Sequence, residues 1–279
     1  MLKKRNLPSI PTYLSETVDL QDQDVSEFRE QGFLLREFPF SDDDLAIAAE
    51  ATNEVGALGH VRAQDLWRRI PAVRRLATEP TLLNLLSRLH GRRAFPFQTL
   101  NFAVGSQQRP HADTFHFSSE PGHFMAGVWI ALEDVSPEAG PLVYYPKSHL
   151  LPLLSIDDLD GDDYVKYYEP TIRRSIEAHG LEETFATPKR GQAFIWAANL
   201  IHGGSARQDH ALSRFSQVTH YYFEGCTFTT PMRKADGQPH IRSVYDISKR
   251  RFARQRRFPS LEVMAASRWR LFTQKILYS

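Results

Sequence analysis

The segment Arg109-Pro110-His111-Ala112-Asp113 sets a histidine and a carboxylate two residues apart. On an extended chain that spacing puts both side chains on one face. Together they can hold one edge of a metal ion, although His-x-Asp arises readily by chance. A second element strengthens the pattern. His202 follows the apolar run Phe194–Ile201 and precedes Gly203-Gly204. A histidine at a strand end, beside glycines that let another group approach closely, is well placed to be a ligand. Two histidines and one carboxylate form a facial triad of the kind that binds non-haem Fe(II). Such a triad leaves coordination positions open for a co-substrate and O2, which a closed four-ligand site would not.

Arg214 lies twelve residues after His202, in Ser213-Arg-Phe-Ser-Gln-Val-Thr-His220. If this segment is a strand, Arg214, Ser216, Val218 and His220 share a face. An inward guanidinium beside a hydroxyl suits a fixed carboxylate, because the fork matches it bidentately. A buried arginine without an anion would be costly. These residues therefore point to a small carboxylate near the metal.

The elements that must position these groups are readable in outline. Ser41 precedes three acids and an apolar stripe, the pattern of a helix start. Thr78-Glu79-Pro80 opens a second helix, with Leu82, Leu83, Leu85, Leu86 and Leu89 on its buried face and Gly91 as its stop. From about residue 93 the pattern changes to short strands, expected over 95–104, 125–132, 142–145, 192–197 and 215–223, with breaker-rich turns between them. Helices followed by many short strands imply an α+β chain with a sandwich or barrel. The expected organisation is one domain over 1–279: an arm over 1–24, a helical layer over 25–92, a strand core over 93–225 and a basic, helical extension over 226–279.

The 279 residues carry 34 Lys and Arg against 33 Asp and Glu, a net charge of +1. That balance gives no reason to expect a nucleic-acid or membrane-surface partner. The longest apolar runs fall far short of the roughly 20 residues of a membrane span, and the basic N-terminus has no apolar stretch behind it. A single cysteine, Cys226, allows no internal disulfide and suits a reducing, cytoplasmic setting.

The ordered set His111-x-Asp113, Val128–Asp134, Ala139-Gly-Pro-Leu142, Pro146-Lys-Ser-His149, His202 and Arg214-x-Ser216 resembles the phytanoyl-CoA dioxygenase family of Fe(II)/2-oxoglutarate-dependent oxygenases. The resemblance covers roughly residues 25–225. It implies a double-stranded β-helix (a jelly-roll, cupin-like barrel) flanked by N-terminal and C-terminal helices. It implies His111, Asp113 and His202 as iron ligands, and Arg214 at the distal carboxylate of 2-oxoglutarate with Ser216 or Ser205 assisting. Trp129 falls where the family keeps a tryptophan lining the co-substrate pocket, and Gln98 and Gln108 lie where further contacts occur. Lys147 stands where the family usually has glycine, and Ala112 where it often has glutamine. The latter position tends to face substrate. The implied reaction consumes 2-oxoglutarate and O2, releases succinate and CO2, and hydroxylates a substrate C–H bond, or carries out a related desaturation or cyclisation. Relatives that halogenate have a small residue in place of Asp113, so chlorination is not expected.

Phe115, His116 and His220 are the candidates for contact with a small-molecule substrate. His220 and His149 also read as satisfied core histidines, and His123 as a loop residue at the mouth. The acidic run 157–163 imitates calcium-loop spacing. Asp163 stands where the sharp turn needs glycine and Lys166 at a ligand position, so it reads as a solvated loop; the family resemblance implies that this interval can form a lid over the site. The basic stretch 249–275 reads as a solvated face with interleaved packing aromatics. The competing readings are a non-enzymatic jelly-roll binding protein, a cupin-type metalloenzyme that needs no keto acid, and an oxygenase with a macromolecular substrate. The residues leave substrate identity and oligomeric state open.

Overall fold

The computed structural model describes residues 18–152, 154, 159, 164–235 and 238–255. The chain enters through helix α1 (Gln23–Gln31), which stops at Gly32 in the left-handed conformation. Strand β1 (Phe33–Glu37) follows, then α2 (Asp42–Ala57), β2 (Arg62–Gln64), α3 (Pro71–Ala77) and α4 (Pro80–His90). Helix α4 begins and ends as its sequence dictates. Glu79 accepts the Leu82 N–H at 2.6 Å, and Gly91 closes it at φ 66°. Its buried residues Leu82, Leu85, Leu86 and Leu89 recur at helical spacing.

The strands then build the barrel: β3 (Ala94–Phe102), β4 (Ser118–Glu120), β5 (Met125–Ala131) and β6 (Leu142–Tyr144). Helix α5 (Glu169–Ala178) interrupts them, before β7 (Thr184–Ala186), β8 (Gln192–Ala197), β9 (His202–Gly204) and β10 (Ser216–Phe223). The major sheet runs β1-β8-β5-β10-β3-β2 and the minor sheet β7-β6-β9. Every pairing between these strands is antiparallel. This is the α+β jelly roll expected from the sequence, with helices α1 to α4 packed on the outer face of the major sheet and α5 on a separate apolar cluster with Val143 of β6.

Strand β5 is buried at every position because both of its faces are covered. Val128 and Ile130 join the helix-side core, while Trp129 and Ala131 join the core between the two sheets. Strand β10 divides the same way. Gln217 and Tyr221 bond to Val73 and Ala77 of α3, which turns Ser216, Val218 and His220 into the barrel.

Two parts of the expected organisation differ. The helical layer contains β1 and β2, which form the two edges of the major sheet. Beyond residue 226, where a helical extension is expected, the described residues form strands: β11 (Thr227–Ala235), β12 (Gln238–Ile241), β13 (Tyr245–Asp246) and β14 (Arg251–Phe252). The run Thr227-Phe228-Thr229-Thr230 is β-branched and aromatic, and it pairs with β4 and β12. The expectations for residues 1–17 and 256–279, and for the acidic loop apart from Leu159, lie outside the described residues.

Candidate metal centre

His111 and His202 face each other across an antiparallel bridge. Each backbone N–H donates to the other's carbonyl, at 2.8 and 2.9 Å. The close approach of the two segments requires Gly203, where a Cβ would lie 2.7 Å from the Gln108 carbonyl oxygen. Asp113 opens a short 3-10 turn, Asp113–Phe115, immediately after the bridge. The ligand atoms of His111, Asp113 and His202 lie within 4.8 Å of one another. His111 Nε2 is 3.8 Å from Asp113 Oδ1, and His202 Nε2 is 3.8 Å from Asp113 Oδ2.

The second nitrogens fix the imidazole tautomers. His111 Nδ1 meets the Arg109 carbonyl at 2.9 Å, and His202 Nδ1 meets the Leu200 carbonyl at 3.0 Å. A carbonyl only accepts, so each Nδ1 carries the proton and each Nε2 keeps its lone pair for the centre. Burial pushes His202 down to about 4, so it is neutral at ordinary pH, as a metal ligand must be. Burial alone would raise Asp113. The neighbouring His202, His220 and His111 and the Trp196 N–H outweigh it and hold the carboxyl below its usual range. Trp196 Nε1 donates to Asp113 Oδ2 at 2.8 Å. Its indole fits because residue 127 is glycine: a Cβ there would come within 2.1 Å of the ring. Two imidazoles that present Nε2 and an oriented carboxylate, with further positions left to small molecules, fit Fe(II).

Arg214 is 4% exposed, with its guanidinium 5.1 Å from the Trp129 ring and 5.9 Å from that of Phe102. Nη1 donates to the Gly140 carbonyl at 3.0 Å. Among the described residues Nε has no partner, and neither has the buried Trp129 Nε1. Burial pushes the guanidinium down to about 10, and no carboxylate pairs with it among the described residues. Buried donors without an acceptor are costly, and a ligand carboxylate is the group that would satisfy them. Ser216 is fully buried, and its hydroxyl makes a long 3.4 Å bond to the Arg214 carbonyl.

The remaining expected residues are placed unevenly. The Ser205 hydroxyl donates to the Pro141 carbonyl at 2.8 Å, next in the chain to the Gly140 carbonyl that accepts from Arg214. Gln108 is exposed and serves through its backbone, whose carbonyl accepts the Gly204 N–H at 2.8 Å. Gln98 Oε1 meets His220 Nδ1 at 2.9 Å, and His220 Nε2 lies 4.0 Å from Asp113 Oδ2. The His116 ring is 6.3 Å from that of His111. Phe115 stacks on Tyr168 at 4.0 Å, within the apolar cluster beneath α5. His123 and His149 are buried outside the ligand group.

Tyr168 is a residue that sequence reasoning missed. Its hydroxyl accepts the Ala112 N–H at 2.9 Å and donates to the Ala112 carbonyl at 3.3 Å. It thus grips the one residue between two candidate ligands from 56 positions away. The tyrosines after the acidic run are the only local signal.

The phytanoyl-CoA dioxygenase (PhyH) family pattern matches residues 10–214. The ectoine dioxygenase of Sphingopyxis alaskensis is 25% identical over 190 residues, or 62% of this chain. The match spans 60% of that relative's length, less than two thirds. Among solved structures, EctD from S. alaskensis with 2-oxoglutarate and 5-hydroxyectoine superposes with TM-score 0.63 at 17% identity, covering 86% of this chain and 92% of that one. The epimerase SnoN in complex with Fe3+, alpha ketoglutarate and nogalamycin RO gives TM-score 0.60 at 21% identity, with 77% and 89% covered. The carbocyclase SnoK gives 0.63 at 18%, with 80% and 95% covered. These likenesses at low identity establish the shared fold. The match over most of the chain, together with the bridge-held triad and the carboxylate-free arginine, places the protein in the phytanoyl-CoA dioxygenase family of iron- and 2-oxoglutarate-dependent oxygenases.

Proposed function

We propose that this protein hydroxylates a C–H bond of a small or medium organic molecule while converting 2-oxoglutarate to succinate and CO2. The observation that carries the reading is the three-ligand centre together with a buried guanidinium that lacks an anion. In this reading His111, Asp113 and His202 hold Fe(II), which supplies O2 activation coupled to decarboxylation of the keto acid.

The chain's own residues bind and orient. Arg214 takes the distal carboxylate through its fork, with Trp129 Nε1 and the Ser216 hydroxyl as further donors. The Trp129 and Phe102 rings keep water from that ion pair and so strengthen it. Trp196 holds the Asp113 carboxylate in one orientation. Because residue 113 is a carboxylate, no protein ligand position is vacated for a halide, which favours hydroxylation over chlorination. The 25% identical ectoine dioxygenase supports the same reaction type, while epimerase and carbocyclase relatives share only the fold. Gln98, His220 and His116 form the polar wall on the substrate side.

Among the described residues no helix is long and apolar enough to cross a membrane. Cys226, buried and outside any disulfide, suits a reducing compartment, so a single-domain cytoplasmic enzyme completes the proposal.

Turnover under isotopically labelled O2, with candidate metabolites screened by succinate release, tests the reaction type. One labelled oxygen in the organic product is expected. An isomerised or dehydrogenated product without the label would contradict hydroxylation. Metal binding without succinate from any candidate would favour the binding-protein reading.

A further inference from the structure

A second arginine lies close to the site, against a different pair of aromatic rings from those that hold Arg214. Arg242 follows β12, and its backbone is pinned on both sides. Its N–H donates to the Phe228 carbonyl at 2.8 Å, and its carbonyl accepts Gln255 Nε2 at 2.5 Å. The guanidinium lies 4.7 Å from the Phe117 ring and 5.8 Å from that of Phe97. Nη1 donates to Thr230 Oγ1 at 3.2 Å and makes a long 3.4 Å bond to the His116 carbonyl.

Those bonds use one of the three guanidinium nitrogens. No carboxylate pairs with Arg242 among the described residues, whereas Arg36, Arg75 and Arg93 each meet one within 2.9 Å. The group also sits close to the chemistry. The Phe117 ring under Arg242 is 5.0 Å from the His220 ring, and His220 Nε2 is 4.0 Å from Asp113 Oδ2.

We propose that Arg242 anchors an oxyanion group, carboxylate or phosphate, on the primary substrate. The inference rests on the reading of Arg214 as the 2-oxoglutarate anchor. The two arginines touch different rings, Phe102 and Trp129 for one and Phe97 and Phe117 for the other. The barrel mouth therefore offers two separate anion positions, and the co-substrate fills only the first. An arginine packed against aromatic rings keeps its charge and its remaining donors for a planar or tetrahedral oxyanion, which a guanidinium matches with two parallel bonds. Phe97 and Phe117 would carry the apolar body attached to that anion. The substrate class is an organic acid or phosphate ester with an apolar portion next to the charge, and Arg242 is its specificity-determining residue.

The test is anaerobic calorimetry on full-length protein saturated with Fe(II) and 2-oxoglutarate. The probes are phenylacetate, phenyl phosphate and the neutral phenylacetamide. The wild type should bind at least one anion, and Arg242→Gln should weaken that binding by at least about ten-fold, the loss of a charge-assisted bond. Arg242→Lys should retain part of it. Phenylacetamide affinity should not change among the three proteins, and neither should that of 2-oxoglutarate. Preference for phenylacetate identifies a carboxylate, and preference for phenyl phosphate a phosphate. A 2-oxoglutarate-loaded wild type that binds neither anion would overturn the proposal, as would a folded Arg242→Gln variant with undiminished anion affinity. A wild type that takes up no 2-oxoglutarate would overturn the underlying reading, and this one with it.

Discussion

Trp196 donates its indole N–H to Asp113 Oδ2 across 2.8 Å, at a site where both residues are buried. The bond leaves Oδ1 on the side of His111 and draws Oδ2 into a three-way contact with Trp196 and His202. Partners of this kind, one bond removed from a metal, set ligand orientation and are commonly worth 10-fold to 100-fold in affinity. Trp196→Phe keeps an aromatic ring but removes the donor together with indole atoms that fill the space over Gly127. Its Fe(II) affinity, measured by anaerobic titration on the folded variant, should fall at least about ten-fold, beside a loss of stability from the cavity left by the smaller ring. Unchanged affinity would mean that the bond does not orient the carboxylate.

Tyr168 acts on the same loop from the other side. Tyr168→Phe deletes both bonds to Ala112 while keeping the stack on Phe115. The Ala112 N–H is left buried without its acceptor, a cost of roughly 1–3 kcal/mol. Denaturant unfolding should show that loss. If the grip also positions the ligands, Fe(II) affinity should fall as well, whereas a purely structural role would lower stability alone.

Acid stability has a source outside the metal centre. His90 ends α4, fully buried, with its ring 3.9 Å from that of Phe223 and Nδ1 3.2 Å from the Leu86 carbonyl. Burial pushes it from an ordinary 6.5 down to about 3. In the folded protein it therefore stays neutral down to about pH 3, while in the unfolded chain it takes a proton below about 6.5. Between those values the unfolded state binds more protons, so stability falls as pH falls. The slope approaches roughly 1.4 kcal/mol per pH unit, or about 2 kcal/mol by pH 5. Denaturant melts at pH 7 and pH 5 should show this loss in the wild type, and His90→Phe should shrink the difference by about that amount. An unchanged pH dependence would count against the assignment.

Much of this site can be read from the chain because its parts are local. His111 and Asp113 are two residues apart, His202 follows the apolar strand β8 and opens β9, and Arg214 stands two residues before β10, whose Ser216, Val218 and His220 alternate into the barrel. The positions of β3, β5, β6, β8 and β10 followed from strand-forming runs and breaker residues, whereas the three-residue strands β4, β7 and β9 were too short to leave a pattern. What could not be read depends on contacts between distant residues. The short β1 gains its identity only from pairing with β8. The strands after residue 226 sit in a basic stretch that looks helical until β4 offers them an edge. Phe115 is adjacent to the ligands in sequence, yet it turns away to stack on Tyr168. Arg242 and Tyr168 reach the site over separations that no local pattern encodes.

The central claim, an iron centre beside an arginine-held keto acid, is tested most directly by anaerobic titration of the protein with Fe(II) and 2-oxoglutarate. The readout is the visible metal-to-ligand charge-transfer band, followed in the wild type, His111→Ala and Arg214→Ala. The account predicts a band in the wild type and none in His111→Ala, with far more 2-oxoglutarate needed to produce one in Arg214→Ala. A folded, iron-loaded wild type that shows no band would contradict it, as would an Arg214→Ala variant that titrates like the wild type.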